Sequence, residues 1–173
     1  MNSTHAANSS PENYEIILPV RVGFIIGVIG SLSIMVIVAG ILVFGGEDIF
    51  AAARLIAAVV YGPDAVIGIV PIGIGTLVHL LTGGIFGAIF AYFMPAIPRG
   101  FLIVAGLVYA IMVWLVSTFI ILPVVSPPMI VTDANKSILL LAHVVYGLVF
   151  GVGSGTYQLW WRLPSWLSPS DHL

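Results

Sequence analysis

Two histidines lie at matching places in two apolar stretches of the chain. Each is followed, at the same three spacings, by a glycine, a phenylalanine and a second glycine. The two sets are His79, Gly83, Phe86 and Gly87, and His143, Gly147, Phe150 and Gly151. The second set follows the first by 64 residues, which is the difference between positions 143 and 79. An ionisable side chain within hydrocarbon is costly unless a neighbour or a ligand satisfies it, so the repeated histidine predicts an internal site.

Haem ligation is one chemistry that suits this pattern. Imidazole is a common axial ligand of haem iron, and a glycine one helical turn below each histidine would leave room for the ring. The candidate cofactor-binding residues for a b-type haem are therefore His79, His143, Gly83 and Gly147.

The ordinary alternative is a structural role for both imidazoles. Each would bond to a hydroxyl or a carbonyl on a neighbouring helix, and the candidate partners are Thr76, Ser117, Thr118, Tyr146 and Ser154. A path for protons or for a substrate is a third alternative. We expect no divalent metal site, because such an ion wants more donors than two imidazoles. We expect no catalytic residue, because every Asp and Glu lies outside the apolar stretches.

The composition places these histidines in a membrane. Of the residues, 60% are hydrophobic and 7% are charged, against roughly 25% charged in a soluble domain. Runs of about 20 apolar residues cross the hydrocarbon layer as helices. The predicted spans are 22–44, 72–94, 101–122 and 138–160. The sequence thus predicts an all-α membrane protein with one four-helix bundle at 16–162, between polar tails at 1–15 and 163–173.

The arginines predict the orientation of this bundle. Arg21, Arg99 and Arg162 fall on one side of an even number of spans, and the positive-inside tendency makes that side cytoplasmic. We expect a multi-pass protein of the cell membrane with both termini in the cytoplasm, the N-terminal one as a disordered tail. The net charge of −2 gives no basic surface for nucleic acid. Because the spans are apolar, the lipid bilayer is the expected partner.

A further apolar, alanine-rich segment at 49–61 lies in the first external loop and is too short to span the membrane. Glu47 and Asp48 precede it and suit the positive end of a helix dipole. These features favour a short interfacial helix, with a re-entrant segment as the alternative. Further along, Pro71 is expected to kink or end a helical stretch ahead of the second span.

The duplicated motif also predicts an internal repeat. Each half would be one hairpin, so the second and fourth spans would run parallel about a pseudo-twofold axis. Small residues at helical spacing let helix backbones approach closely. The packing residues expected in this glycine zipper are Gly23, Gly27, Gly83, Gly87, Gly147 and Gly151.

A wider pattern covers the stretch from His79 to Pro123. A His-x3-Gly-x3-Gly span is followed by a glycine, an aromatic residue and a tryptophan before a proline exit. In this chain these residues are His79, Gly83, Gly87, Gly106, Tyr109, Trp114 and Pro123. The pattern resembles that of a group of small bacterial multi-pass membrane proteins of unknown function. The resemblance implies the class of protein and transfers no activity.

Three functions fit such a protein. The first is a non-enzymatic packing or accessory subunit, associating with itself as a homo-oligomer or with a larger membrane complex. The second is a b-type haem-binding redox subunit that uses His79 and His143. The third is a small oligomeric transporter with its site at the repeat interface. The sequence favours the first, because glycine seams in apolar helices are common packing devices.

Overall fold

The computed structural model describes residues 18–62, 67–93, 97–125 and 133–161, so both predicted tails lie outside the described residues. All regular elements within these ranges are helices. They are α1 (Val20–Phe44), α2 (Ala51–Tyr61), α3 (Ile69–Phe93), α4 (Leu102–Val116), α5 (Leu122–Val125) and α6 (Asp133–Trp161). A short 3-10 helix at Arg99–Phe101 precedes α4, and a π-helix at Ser117–Ile121 follows it.

Four of these segments are long and apolar enough to cross a membrane. They are Val20–Phe44, Ile69–Phe93, Leu102–Ile121 and Lys136–Leu159. The predicted fold class is therefore confirmed: four apolar helices form an all-helical, membrane-embedded protein, and a short apolar helix lies between the first two. Large apolar side chains such as those of Ile25, Leu77 and Leu148 stay exposed on the outside of the bundle, as contact with lipid requires.

The prediction that Pro71 kinks or ends a helix ahead of the second span is wrong. It lies inside α3, which begins at Ile69. In the first turn of a helix the backbone N–H groups have no acceptor within the helix, so a proline there removes no hydrogen bond. The span therefore starts three residues earlier than predicted, from 72 − 69.

The helices associate as two antiparallel pairs. In the first pair α1 packs against α3, and in the second pair α4 packs against α6. The two pairs meet mainly through α1 and α6. A cluster of four aromatic rings fills the centre of the bundle and comes from three helices: Phe90 on α3, Tyr109 on α4, and Tyr146 and Phe150 on α6.

The short helix α2 packs beside the first turns of α3. Its buried face presents Ala53 and Ala57, and a side chain on Gly75 would overlap the carbonyl of Ala53. Asp48 stands just before α2, accepts a hydrogen bond from the backbone N–H of Phe50 at 3.1 Å, and pairs with Arg54. The acidic residue thus fixes the entry to α2, where the helix dipole favours a negative charge.

Candidate functional site

His79 projects from α3 with one ring nitrogen unsatisfied. Its Nε2 atom is buried and has no hydrogen-bond partner. The backbone of Ser31, on α1, is the hydrogen-bonding neighbour of the same ring. Nε2 is therefore the ring nitrogen of His79 whose hydrogen-bonding capacity is unused within the described residues.

His143 is oriented by its own helix. Its Nδ1 atom lies 2.7 Å from the carbonyl oxygen of Leu139, one turn earlier in α6. A carbonyl only accepts, so Nδ1–H donates, and the neutral ring then carries its lone pair on Nε2. None of the five side chains proposed as partners from the sequence is hydrogen-bonded to this ring in the described part of the chain.

The contact between α3 and α6 sets the depth of the two histidines. The Tyr146 hydroxyl donates to the carbonyl oxygen of Gly83 at 2.7 Å. His79 lies four residues before Gly83, and His143 lies three residues before Tyr146. At about 1.5 Å per residue, both histidines lie roughly one helical turn beyond this hydrogen bond, towards the beginnings of their helices.

Both imidazoles also share a helix face with the central aromatic rings. Phe90 follows His79 at i+11, and Phe150 follows His143 at i+7, spacings that return to one side of a helix. The two phenylalanine rings touch at a centroid distance of 4.9 Å and are 1% and 0% exposed. The histidines therefore face the bundle interior, directly beyond the aromatic cluster.

The two rings are near each other without being bonded. They lie close enough for a Coulombic interaction between them. The unpartnered Nε2 atom of His79 shows that this nitrogen makes no direct hydrogen bond to His143. The two histidines are thus neighbours within the bundle, and Nε2 of His79 stays without a hydrogen bond.

The aromatic cluster fills the bundle below the two histidines. The Phe90 and Tyr109 rings lie 5.0 Å apart, and those of Tyr146 and Phe150 lie 5.4 Å apart. The Tyr109 hydroxyl donates to the carbonyl oxygen of Phe86 at 2.6 Å. Phe90 meets Tyr109 and Phe150 edge to face, and the Tyr146 and Phe150 rings are tilted by 47°, so no two of these rings stack flat below the histidines.

The glycines of the first helix pair are occupied by backbone contacts. A Cβ atom on Gly27 would overlap the carbonyl oxygen of Gly83, and one on Gly83 would overlap the Ser31 hydroxyl. A turn away, a Cβ atom on Gly23 would lie 2.5 Å from the carbonyl oxygen of Gly87. The helices thus approach at the distance that only glycine allows.

The glycines of the second helix pair make the same kind of contact. A Cβ atom on Gly147 would lie 2.7 Å from the carbonyl oxygen of Gly106 and 2.9 Å from Cβ of Ala110. A Cβ atom on Gly151 would lie 2.6 Å from Cα of Ile103. Like their counterparts in the first pair, these glycines face a neighbouring helix rather than an open space.

The haem hypothesis has two parts, histidine ligands and glycines that make room for the ring, and these contacts bear on each differently. His79 and His143 interact with each other, His79 has an unpartnered Nε2 atom, and the bond from Nδ1 of His143 leaves the lone pair of that ring on Nε2. Gly83 and Gly147, which were expected to make room for a macrocycle, are instead covered by α1 and by α4. The donor atoms suit a ligand, whereas the surroundings do not suit the size of a porphyrin.

Sequence reasoning missed the role of the two tyrosine hydroxyls. Tyr109 and Tyr146, from the second pair, both donate to carbonyl oxygens of α3, in the first pair. A tyrosine in the middle of an apolar span is a usable signal, because its hydroxyl needs a partner there. Periodicity alone does not identify that partner, since it carries no information on the register between helices.

Three of the hydroxyl candidates make no hydrogen bond to the histidines among the described residues. The hydroxyls of Thr118 and Ser154 are buried and have no hydrogen-bond partner. Thr76, three residues before His79, lines a groove of about 190 Å³ between α1, α2 and α3. The other lining residues are Met35, Val36, Ala39, Ile49, Phe50, Ala52 and Ala53.

Comparison with known proteins finds no matching family model, no matching curated protein and no matching solved structure.

Proposed function

We propose that the protein is a non-enzymatic packing or accessory subunit, which associates in the membrane with itself or with a larger complex. The supporting observation is the way in which the bundle is closed on itself. Glycines of both pairs and the tyrosine hydroxyls of the second pair are used within the chain, while large apolar side chains cover the outside. Such a unit is preassembled and offers intact helix faces to neighbours.

The proposal includes a cell-membrane location with both termini in the cytoplasm. The arginine distribution supports this orientation through the positive-inside tendency. Reporter fusions after Trp161 and between residues 125 and 136 should report cytoplasmic and external positions respectively. The reverse pattern would contradict the orientation without affecting the fold.

We also propose that the two pairs are an internal repeat held by a glycine zipper. Equivalent glycines support this view, because Gly83 and Gly147 each face a small-residue helix in their own pair. The repeat would give α3 and α6 the same direction across the membrane. It would also explain why the two histidines share a depth.

Haem binding and transport are alternatives to the subunit role. The paired Nε2 atoms favour a ligand at the histidines, but the covered glycines argue against a porphyrin there. A transporter would need several copies to enclose a path, since four helices enclose little volume.

Cysteine crosslinking tests the subunit role, because the chain contains no native cysteine. Single cysteines replace Leu77, Leu115 or Leu148, which are 56%, 44% and 41% exposed on three different spans. In native membranes we expect at least one of these variants to crosslink to a copy or to a partner. A cysteine replacing the buried Ala110 is the matched control and should not crosslink. If every outward position stays uncrosslinked at full expression, the subunit proposal is wrong.

A further inference from the structure

Among the described residues, the histidine site has a donor set of two imidazole nitrogens and no acidic residue. Backbone groups flank both rings, at Ser31 for His79 and at Leu139 for His143. For His143 this leaves Nε2 as the lone-pair atom, and for His79 it is Nε2 that is buried and unpartnered. Two lone pairs in a low-dielectric interior are stabilised by a species that accepts both of them.

The lack of negatively charged side chains in the spans limits which ion the two imidazoles can bind. No Asp or Glu occurs in the sequence of the four spans. A divalent cation bound by two neutral rings would keep its double charge in a poorly polarisable interior, and the cost of burying an ion is already severe for a single charge. A divalent ion such as zinc also wants four ligands. A monovalent ion that is satisfied by two ligands meets both limits.

Imidazole coordination narrows the choice further. Copper is among the metals that imidazole nitrogen suits, and copper(I) is monovalent with a filled d shell, so it is stable with two ligands in a line. The carbonyl of Leu139 holds the Nδ1–H of His143 as an outer partner does for a metal-bound histidine. We propose that His79 and His143 bind one copper(I) ion through their Nε2 atoms, a role beyond the subunit function proposed above.

The position of the site makes one side of the bundle the expected approach for such an ion. Both histidines are half-buried, whereas the rings beneath them are almost fully buried. Because the aromatic cluster fills the bundle beyond the imidazoles, we expect an ion to arrive from the side where α3 and α6 begin. For the same reason we expect the site to bind an ion rather than conduct it.

Silver(I) is a suitable probe because it has the charge and the two-ligand preference of copper(I) and does not oxidise in air. The titration uses the purified full chain in detergent, with His5 and His172 replaced by Asn so that two imidazoles remain. We expect one tightly bound silver ion per chain. His79→Gln and His143→Gln should each weaken that binding at least about tenfold.

Thioether sulfur is the competing ligand for silver, so methionine variants serve as matched controls. Met35→Leu and Met112→Leu should leave the tight site unchanged. If either abolishes it, or if both histidine variants bind as tightly as the parent, the proposal is overturned. A Soret band in the purified protein would also overturn it, in favour of haem.

A measurement without substitution guards against misfolded variants. The parent protein is titrated at pH 7.5 and at pH 4, the second value lying well below the ordinary imidazole pKa of about 6.5. Protonation removes the lone pairs, so acid should weaken silver binding while the helical circular dichroism stays constant. Equal affinity at both pH values would contradict imidazole ligation. Zinc(II), tested at pH 7.5, should bind at least about tenfold more weakly than silver, and equal binding would contradict the charge argument.

Discussion

The two helix pairs reach the same close approach with different residues, and their contributions to the centre of the bundle are unequal. In the first pair, glycines stand on both helices, with Gly23 and Gly27 against Gly83 and Gly87. In the second pair, Gly147 and Gly151 of α6 meet a helix that supplies one glycine, Gly106, to the seam. Close packing therefore requires small residues at the crossing point rather than one fixed motif.

The centre of the bundle makes the difference plainer. Both bridging hydroxyls belong to the second pair, and both acceptors are carbonyls of α3 in the first pair. The Tyr146 ring also lies over Gly30 of α1, where a Cβ atom would be 2.7 Å from it. The first pair thus provides the carbonyl acceptors and one ring of the cluster, Phe90, whereas the second pair provides the two hydroxyl donors and the other three rings. A repeat in sequence does not require symmetric roles.

The largest expected loss of stability follows from disrupting the crossing between α1 and α3 in the first pair. Gly27→Leu forces a side chain into the carbonyl of Gly83, so we expect a loss of about 3 kcal/mol or more in unfolding free energy. Gly147→Leu should cost a similar amount if the two crossings are equivalent. Gly40→Leu is the control, because nothing lies within 4 Å of that position. Thermal unfolding in detergent measures all three, and an unaffected Gly27→Leu variant would contradict the first crossing.

A smaller effect is expected where α2 meets α3. Gly75→Leu should detach α2 and cost about 1 to 3 kcal/mol, because the new side chain overlaps the backbone of Ala53. Gly73→Leu, two residues away with nothing within 4 Å, should leave stability unchanged. Hydrogen exchange of residues 51–61 is the measurement. Equal exchange in the two variants would show that α2 does not depend on this contact.

The tyrosine bridges are expected to contribute less again. Tyr146→Phe and Tyr109→Phe each remove a hydroxyl while keeping the ring, so each should cost about 0.6 kcal/mol and at most roughly 1.7. The double variant tests the comparison directly, since both bonds hold the same helix and should couple. Strict additivity would mean that each tyrosine acts on α3 independently.

The smallest stability effect is expected at the histidines. His79→Ala and His143→Ala each remove a ring with one backbone partner, Ser31 for His79 and Leu139 for His143. Each should therefore cost about 0.6 kcal/mol or less. Unfolding of the metal-free protein measures both variants, and a loss larger than that of the tyrosine variants would contradict this order.

Length and apolar composition were enough to predict the four spans and the short helix, because crossing hydrocarbon imposes a minimum run of apolar residues. The exception at Pro71 is instructive: a proline ends a helix in its interior but not in its first turn. The acidic segment before α2 was also readable, since Asp48 lies where a helix start favours negative charge.

The site was only partly readable from the sequence, because its geometry depends on register between helices. The spacing of His79 and His143 predicted a shared location, yet it did not reveal that Leu139, on the same helix, would be the partner of His143. Nor did the glycine pattern distinguish clearance for a ligand from contact with a helix. That distinction needs the position of the opposing backbone, which no single-helix pattern contains.

The two tyrosine bridges have a mechanical consequence for α3. Their acceptors, Gly83 and Phe86, lie within one turn of each other, yet the donors come from two different helices. Sliding or rotating α3 would stretch both bonds together, so this turn is a fixed point of the helix. The first turns of α3 are held separately by α2, because Gly75 lies against the backbone of Ala53. His79 stands between these two held turns, so its imidazole has little freedom to move relative to that of His143.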